Sequence, residues 1–314
     1  MGLLMRVKMF AFLIRRFFGL VFVLILISVV SFSLVYFVPG DVALVIAGPG
    51  SSKKAVEDIR AELHLDKPFY VRYSLWLRSI LSGDLGRSAI TREPISQLIG
   101  FRYLNTLKLA GAGVTFAIFW GIFLGLVASI KRNSILDYGT MALSIFGISM
   151  PIFWIGLMLI FIFAVQLRWL PVTGQGGIRH LILPAITIGL NSIALIARIT
   201  RASMLEVLGK DYIRTARAKG CTFPMVIFKH ALKNAMIPII TAIGLQFGYL
   251  MGGAVLTETV FAWPGVGRLF ADSVFQRDFP VLQILMLLLA ASFAIVNVLV
   301  DISYSFLDPR IKYE

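Results

Sequence analysis

Residues 211–240 read DYIRTARAKGCTFPMVIFKHALKNAMIPII, and this stretch separates two long apolar segments of the chain. It carries five Lys or Arg residues against one acid, interrupted by Gly-Cys-Thr-Phe-Pro. The residues before Gly220 predict a short amphipathic helix that this glycine ends, while Thr222 and Pro224 suit the start of a second helix. Pro238 is expected to open the next apolar segment. The pattern predicts two helices meeting at a corner, although an ordinary basic loop that binds anionic lipid is the simpler alternative.

The composition is that of a membrane protein. Of 314 residues, 58% are hydrophobic and only 15% are charged, whereas soluble domains carry about a quarter charged residues. A helix needs about 20 apolar residues to cross a bilayer. The runs of this length are residues 17–38, 104–129, 138–165, 181–199, 236–257 and 280–304. We therefore predict an all-α polytopic membrane protein with six transmembrane helices.

The distribution of basic residues predicts the orientation. With the N-terminus inside, the cytoplasmic segments hold 16 Lys or Arg residues, whereas the short outer loops hold four. Short cytoplasmic loops are enriched in these residues, so both termini are predicted to be cytoplasmic. The long segment 39–102 then lies outside, where its apolar spacing predicts two helices and a turn at 83–86. We interpret it as an extracytoplasmic helical cap.

Two features predict how the spans are shaped and packed. Pro151, inside the third run, removes a backbone donor and predicts a kink. Gly121 and Gly125 are spaced so that neighbouring helices can approach closely in lipid.

Several classes of function are disfavoured. The middles of the six runs hold no charged residue or histidine, although an ion-coupled transporter normally binds its driving ion there. The chain has neither a phosphate-binding G-x-x-x-x-G-K-[ST] loop nor a metal-ligand spacing, and its single cysteine, Cys221, excludes an intrachain disulfide. The net charge of +14 reflects the basic cytoplasmic loops, and no nucleic-acid-reading module is present.

Uncharged polar residues remain in the spans at Asn191, Gln246 and Asn297. They either hydrogen-bond between helices or line a polar pathway. A pathway without an ion-binding charge suggests that energy comes from another chain.

Motifs in the same order along the chain resemble the permeases of binding-protein-dependent ABC importers, specifically the dipeptide/oligopeptide/nickel branch. The signature of that family is a cytoplasmic E-A-A-x3-G-x9-I-x-L-P loop, matched here by Arg214-Thr215-Ala216-x3-Gly220 and by His230-x-Leu232-Lys233. The substitutions in this match are typical of the peptide branch. Further matches are Pro39-Gly40-Asp41, Gly83-Asp84-Leu85-Gly86-Arg87-Ser88, Ser149-Met150-Pro151-Ile152-Phe153-Trp154, Trp169-Leu170-Pro171 and Glu258-Thr259-Val260-Phe261-Ala262-Trp263-Pro264-Gly265-Val266-Gly267.

The resemblance implies a type I ABC importer permease fold in the cell inner membrane. It implies a first domain at 1–95, a transmembrane domain at 96–306 with a cytoplasmic coupling loop at 204–235, and a tail at 307–314. Partners would be a second, different permease chain, two cytoplasmic ATP-binding subunits that hold ATP and Mg, and an extracytoplasmic solute-binding protein. This chain itself would bind no cofactor or metal and would catalyse no reaction.

The resemblance also assigns residues to roles. Those expected to couple to the ATPase are Tyr212, Arg214, Thr215, Ala216, Lys219, Gly220, His230 and Leu232. Because they are uncharged polar residues inside the spans, Asn191, Gln246 and Asn297 are expected to lie on the translocation pathway. The outer gate or docking surface is assigned Gly83, Asp84, Glu258, Pro264 and Gly265. The cargo would be peptides or similar small solutes, and the alternative is a self-sufficient channel or facilitator without an ATPase partner.

Overall fold

The computed structural model describes residues 2–33, 42–48, 50–62 and 64–307, and within them the chain is helical apart from loops and one isolated bridge. The α-helices are α1 (Gly2–Ser33), α2 (Val42–Ala47), α3 (Lys53–Glu62), α4 (Phe69–Leu81), α5 (Ile95–Ile130), α6 (Ile135–Ser149), α7 (Ile152–Leu159), α8 (Ile178–Leu208), α9 (Asp211–Ala218), α10 (Lys233–Val260), α11 (Val266–Gln276) and α12 (Phe279–Leu307). Two π-helical stretches, Ile160–Gln166 and Met225–Leu232, follow α7 and precede α10. The all-α prediction is confirmed.

The helices account for the predicted spans. Five described helices are long and apolar enough to cross a membrane, and a sixth span results if the bent pair α6 and α7 is taken as one. The six predicted runs fall on these helices within the described residues, and positions 34–38 of the first run lie outside them. A backbone in hydrocarbon must satisfy its own hydrogen bonds, which is why the apolar runs become helices.

The third span is broken rather than kinked. Helices α6 and α7 meet at 106°, and Met150 between them is extended, with ψ at 135°. Pro151 cannot donate to the preceding turn, so α7 starts afresh at Ile152. The sequence identified the residue responsible but not the size of the change in direction.

One compact unit consists of Met1–Asn105 with Pro264–Ile295. In its cap, Ala43, Val56 and Ile59 pack with residues of α12, while Phe32 of α1 contacts the rings of Phe69, Tyr73 and Trp76. The predicted cap helices correspond to α3 and α4 and are confirmed. Helices α2 and α11 were not predicted, and the motif at 39–41 lies outside the described residues.

The other compact unit consists of Thr106–Trp263 with Val296–Glu314. Helix α8 is its centre, because α6, α7 and α10 all pack on it, and α5 approaches it through glycines. A Cβ atom on Gly125 would lie 2.6 Å from the carbonyl oxygen of Ala197 and 2.5 Å from the Cβ atom of Thr200. One on Gly121 would lie 2.7 Å from Ile196. The predicted close packing at both glycines is confirmed, whereas the domain boundaries stay a prediction.

Gly125→Ala should destabilise the protein by about 1–3 kcal/mol, the usual cost of overpacking, because the obstacle includes backbone that cannot rotate away. Thermal unfolding in detergent measures this effect. Gly111→Ala on the same helix is the matched control, since a Cβ atom there meets nothing within 4 Å. Equal unfolding temperatures for the two variants would contradict the proposed tight contact.

Candidate functional site

The corner predicted from the sequence is formed by the end of α9. Gly220 has a φ of 78°, a left-handed conformation that glycine adopts without steric cost. Its N–H donates to the carbonyl of Arg217 at 3.0 Å, and the N–H of Cys221 donates to that of Ala216 at 3.2 Å. These two bonds form a Schellman motif, which satisfies the last carbonyls of the helix. The predicted helix and its glycine cap are confirmed.

The second helix of the loop starts at Phe223 and continues without a break through the π-helical stretch Met225–Leu232 into α10. Its first backbone bond runs from the N–H of Val226 to the carbonyl of Thr222 at 3.0 Å. Pro238 therefore lies inside a helix, and the prediction that it opens the fifth span is wrong. Membrane helices tolerate an internal proline because neighbouring groups can satisfy the freed carbonyl.

The inner side of the segment that connects α8 to α10 is packed. Ile213 is fully buried and Ala216 is 8% exposed. Ile213 belongs to a cluster with Met204 of α8 and with Val226 and Ile227 of the second helix, and Leu232 packs against the same cluster. Burying one such aliphatic side chain contributes roughly 1.5–3 kcal/mol. The loop is therefore a folded part of the second unit.

The outer side of the loop is basic and aromatic. Tyr212 is 43% exposed and the side chain of Arg214 is 77% exposed. Lys219 is exposed beside Gly220, and His230 is half-buried on the second helix. The hydroxyl of Thr215 donates to the carbonyl of Asp211 at 3.1 Å.

The sequence reasoning missed three apolar residues on the second helix of this loop. Phe223, Met225 and Phe228 are exposed by 58%, 39% and 61%. Their signal was the presence of large apolar residues in a loop that is predicted to lie outside the membrane. Together with the exposed basic residues of α9, they make the exposed surface of the loop both positively charged and apolar.

The predicted pathway residues lie on three helices of the second unit. The hydroxyl of Ser192, beside Asn191 on α8, donates to Oε1 of Gln246 on α10 at 3.0 Å. Asn191 and Gln246 are half-buried, as is Asn297 on α12. The Ser192–Gln246 bond shows that at least one of these polar groups joins two helices.

The predicted outer residues of the first unit form turns. Gly83 has a φ of 88°, and Oδ1 of exposed Asp84 accepts the N–H of Gly86 at 2.9 Å. Pro264 accepts a hydrogen bond from the side-chain amide of Asn105 at 3.0 Å, and Gly265 precedes the first turn of α11. Gly83, Asp84 and Gly86 of this turn are exposed.

Glu258, in the second unit, is fully buried. The hydroxyl of Thr106 donates to its Oε1 at 2.5 Å, and its carbonyl accepts the N–H of Trp263 at 2.8 Å. Trp263 itself is only 3% exposed. These residues form an internal corner after α10 and offer little surface to a partner in this conformation.

A buried carboxylate that the sequence reasoning missed fixes the loop before α5. Asp278, 4% exposed, accepts a short hydrogen bond from the hydroxyl of Ser88 and the N–H of Ala89 at 3.1 Å. The Ser88 hydroxyl oxygen in turn accepts the N–H groups of Ile90 and Thr91. An Asp just before an apolar helix was the available signal, although it predicts a cap for that helix rather than a bond to a distant loop.

Among the residues that the structure describes, no group of three or more His, Cys, Asp or Glu side chains is arranged to hold a metal ion.

Comparison with known proteins gives matches along almost the whole chain. The family described as "Binding-protein-dependent transport system inner membrane component" matches residues 117–313, and its N-terminal counterpart matches residues 9–110. The dipeptide transport system permease protein DppB of Alkalihalophilus pseudofirmus is 43% identical, covering 97% of this chain and 100% of the relative. The glutathione transport system permease protein GsiC of Escherichia coli K12 is 42% identical, covering 98% and 100%.

Solved structures share the fold at lower identity. A chain of the MetNI methionine ABC transporter, in an inward-facing conformation, superposes with a TM-score of 0.59 at 18% identity, covering 69% of this chain and 99% of that one. A chain of an amino acid ABC transporter gives a TM-score of 0.51 at 19% identity, covering 69% and 95%.

Asp278→Ala should release the loop at 86–94, because the Ser88 hydroxyl and the Ala89 N–H would lose their bonds to the carboxylate. Limited proteolysis should then cut this loop several times faster than in the unaltered protein, since cleavage follows local opening. Asp272→Ala is the control, because the ion pair of this residue with Arg268 is long, 3.9 Å, and both side chains are exposed by more than 40%. Equal cleavage of the two variants would show that Asp278 does not hold the loop.

Proposed function

Because the chain belongs to the family of binding-protein-dependent transport system inner membrane components, we propose that it forms the pathway for peptides entering the cytoplasm through an ATP-driven importer. The chain is a multi-pass, non-catalytic permease subunit of the inner membrane. Dipeptides or similar small solutes such as glutathione are the proposed cargo, supported by the dipeptide and glutathione permeases that this chain matches over their full length.

The observation that carries the proposal is the structure of the coupling loop (residues 204–235), which has a packed inner side and an exposed outer side. Its inner side is packed into the core of the second unit, so a force on the loop reaches the spans. Its outer side exposes Tyr212, Arg214 and Lys219 in and just after α9, and Phe223 and Phe228 on the second helix. Such a surface fits a groove with acidic and apolar walls on an ATP-binding subunit.

The remaining partners follow from this role. Two ATP-binding subunits would hold ATP and Mg, a second and different permease would complete the pathway, and a binding protein would deliver the solute from outside. The N- and C-termini and the coupling loop would face the cytoplasm, since the basic residues are concentrated on that side.

Movement of the ATPases would swing the paired permeases between inward-facing and outward-facing conformations. Asn191, Gln246 and Asn297 are proposed to border the path, where uncharged groups can interact with a peptide without requiring an ion. The exposed turn at Gly83 and Asp84 suits docking of the binding protein. Buried Glu258 suits a gate, with Pro264 and Gly265 in the segment that leaves it.

Gly220→Asp should leave membrane insertion intact but uncouple ATP hydrolysis from uptake. A non-glycine residue at this φ costs about 1–2 kcal/mol, and the added carboxylate would face the surface that contacts the ATPase. The measurement is uptake of labelled dialanine and glutathione, together with ATP hydrolysis, by the assembled transporter in proteoliposomes.

Gly50→Asp is the matched control for Gly220→Asp, because Gly50 also has a positive φ, 90°, but lies in the cap. This control should transport normally. Normal coupled uptake by Gly220→Asp would overturn the coupling role. A fully active protein that purifies and transports without ATP-binding subunits would favour a self-sufficient channel.

The single cysteine tests the orientation. Cys221 is half-buried at the corner of the coupling loop, so a membrane-impermeant maleimide should label it in inside-out vesicles and not in intact cells. Ser51→Cys in a Cys221→Ser background should give the opposite pattern, because residue 51 lies in the cap and is exposed. Labelling of Cys221 from outside would reverse the proposed topology.

A further inference from the structure

Asp137, in the first turn of α6, and Arg201, two turns before the end of α8, form a forked ion pair. Nε of Arg201 lies 2.5 Å from Oδ1 of Asp137, and Nη2 lies 2.7 Å from Oδ2. The side chain of Asp137 is 1% exposed and that of Arg201 is 24% exposed. Two parallel bonds between planar groups fix both distance and orientation.

The same carboxylate closes the turn between α5 and α6. Its Oδ2 accepts the N–H of Asn133 at 3.0 Å, and Asn133 has a left-handed φ of 60°. Ser134 caps α6 by accepting the N–H of Asp137 at 3.4 Å. One buried group thus joins the α5–α6 turn, the start of α6 and the cytoplasmic end of α8.

Thr140, Ser144 and Gly147, on the α6 face toward α8, are small or form hydrogen bonds within their own helix. Buried Thr140 and Ser144 donate their hydroxyls to carbonyls of their own helix, those of Leu136 and Thr140. A Cβ atom on Gly147 would lie in ordinary contact, 3.5 Å from that of Ala194. Such contacts allow close packing but resist sliding weakly, so directional restraint comes from the Asp137–Arg201 pair.

Arg201 is itself attached firmly to the coupling loop. Met204, less than one turn further along α8, is fully buried and shares a cluster with Ile213 and Ile227 of the loop. The end of α8 and the two loop helices therefore form one packed body, and Arg201 projects from this body to α6.

We propose that the Asp137–Arg201 pair makes the start of the third span move as one rigid body with the coupling loop, so that ATPase movement reaches the break at Pro151. This inference rests on the proposed coupling function. Asp137 and Arg201 are therefore positioning residues. Because the third span is broken at Pro151, its first half can follow the loop while the span changes direction at the break.

The chemistry of the pair favours this role over simple stabilisation. Well-packed apolar residues often stabilise a protein as much as a buried ion pair does, or more, because both charges must be stripped of water. A forked ion pair differs from an apolar contact in fixing one register. That property is needed to transmit a displacement and is not needed merely to hold two helices together.

The test measures the distance between two spin labels in the assembled transporter, without nucleotide and after trapping with ATP and vanadate. Labels are placed by Ile135→Cys on α6, where the native side chain is 89% exposed, and by Ala218→Cys at the exposed end of α9, both in a Cys221→Ser background. In the otherwise unaltered protein the distance distribution should be the same in both states.

Asp137→Asn should broaden or shift that distribution on trapping. The double variant Asp137→Asn with Arg201→Met leaves no unpaired buried charge, and it should do the same while keeping a near-normal unfolding temperature. Asp272→Asn is the matched control, since it removes an ion pair to Arg268 that lies outside the coupling loop and whose side chains are 42% and 49% exposed, and it should behave like the unaltered protein.

Two results would overturn the proposal. A change of distance on trapping in the otherwise unaltered protein would show that α6 and the loop move separately. An unchanged distance in the double variant would show that the pair only contributes stability. Because no solute is needed and Gly220→Asp tests coupling separately, either failure leaves the proposed function standing.

Discussion

The close approach of α5 to α8 is the contact on which the second unit depends. Lipid chains are as apolar as leucine, so membrane helices associate through close packing and polar bonds rather than through the hydrophobic effect. Gly113, Gly121 and Gly125 leave space that Ile188, Ile196 and Thr200 fill. Helix α5 packs on one side of α8, and helices α6, α7 and α10 also pack on α8. The helix that leads into the coupling loop is therefore also the helix around which the unit is assembled.

Local features were predicted well from the sequence, because they depend on one residue and its own backbone. Gly220 is predicted to end α9 because it lacks a Cβ atom and can adopt a left-handed conformation. Apolar runs of this length are predicted to be helices because a backbone in hydrocarbon must satisfy its own hydrogen bonds. The two prolines show where this reasoning ends. A proline removes a donor, but whether the helix breaks, as at Pro151, or continues, as at Pro238, depends on neighbours that the local sequence does not reveal.

The polar contacts that organise the structure were beyond sequence reasoning for a different reason. Asp278 bonds Ser88, 190 residues earlier in the chain, and Arg201 bonds Asp137 across 64 residues. Nothing local marks these acids as partners of those groups. Glu258 shows the same limit, because the resemblance assigned it to an outer gate or docking surface but did not reveal that its carboxylate is enclosed with Thr106. Burial is a property of the assembled helices.

The second loop helix continues into α10, and this continuity constrains the number of residues between the loop and the fifth span. A loop usually accepts an inserted residue at little cost. Here each added residue between Phe223 and the fifth span would rotate everything beyond it by about 100° around the helix axis, carrying Ser192's partner Gln246 away from α8. From Phe223 onward, the interval between Gly220 and His230 thus lies on one continuous helix, and its length is set by the faces that α10 must present.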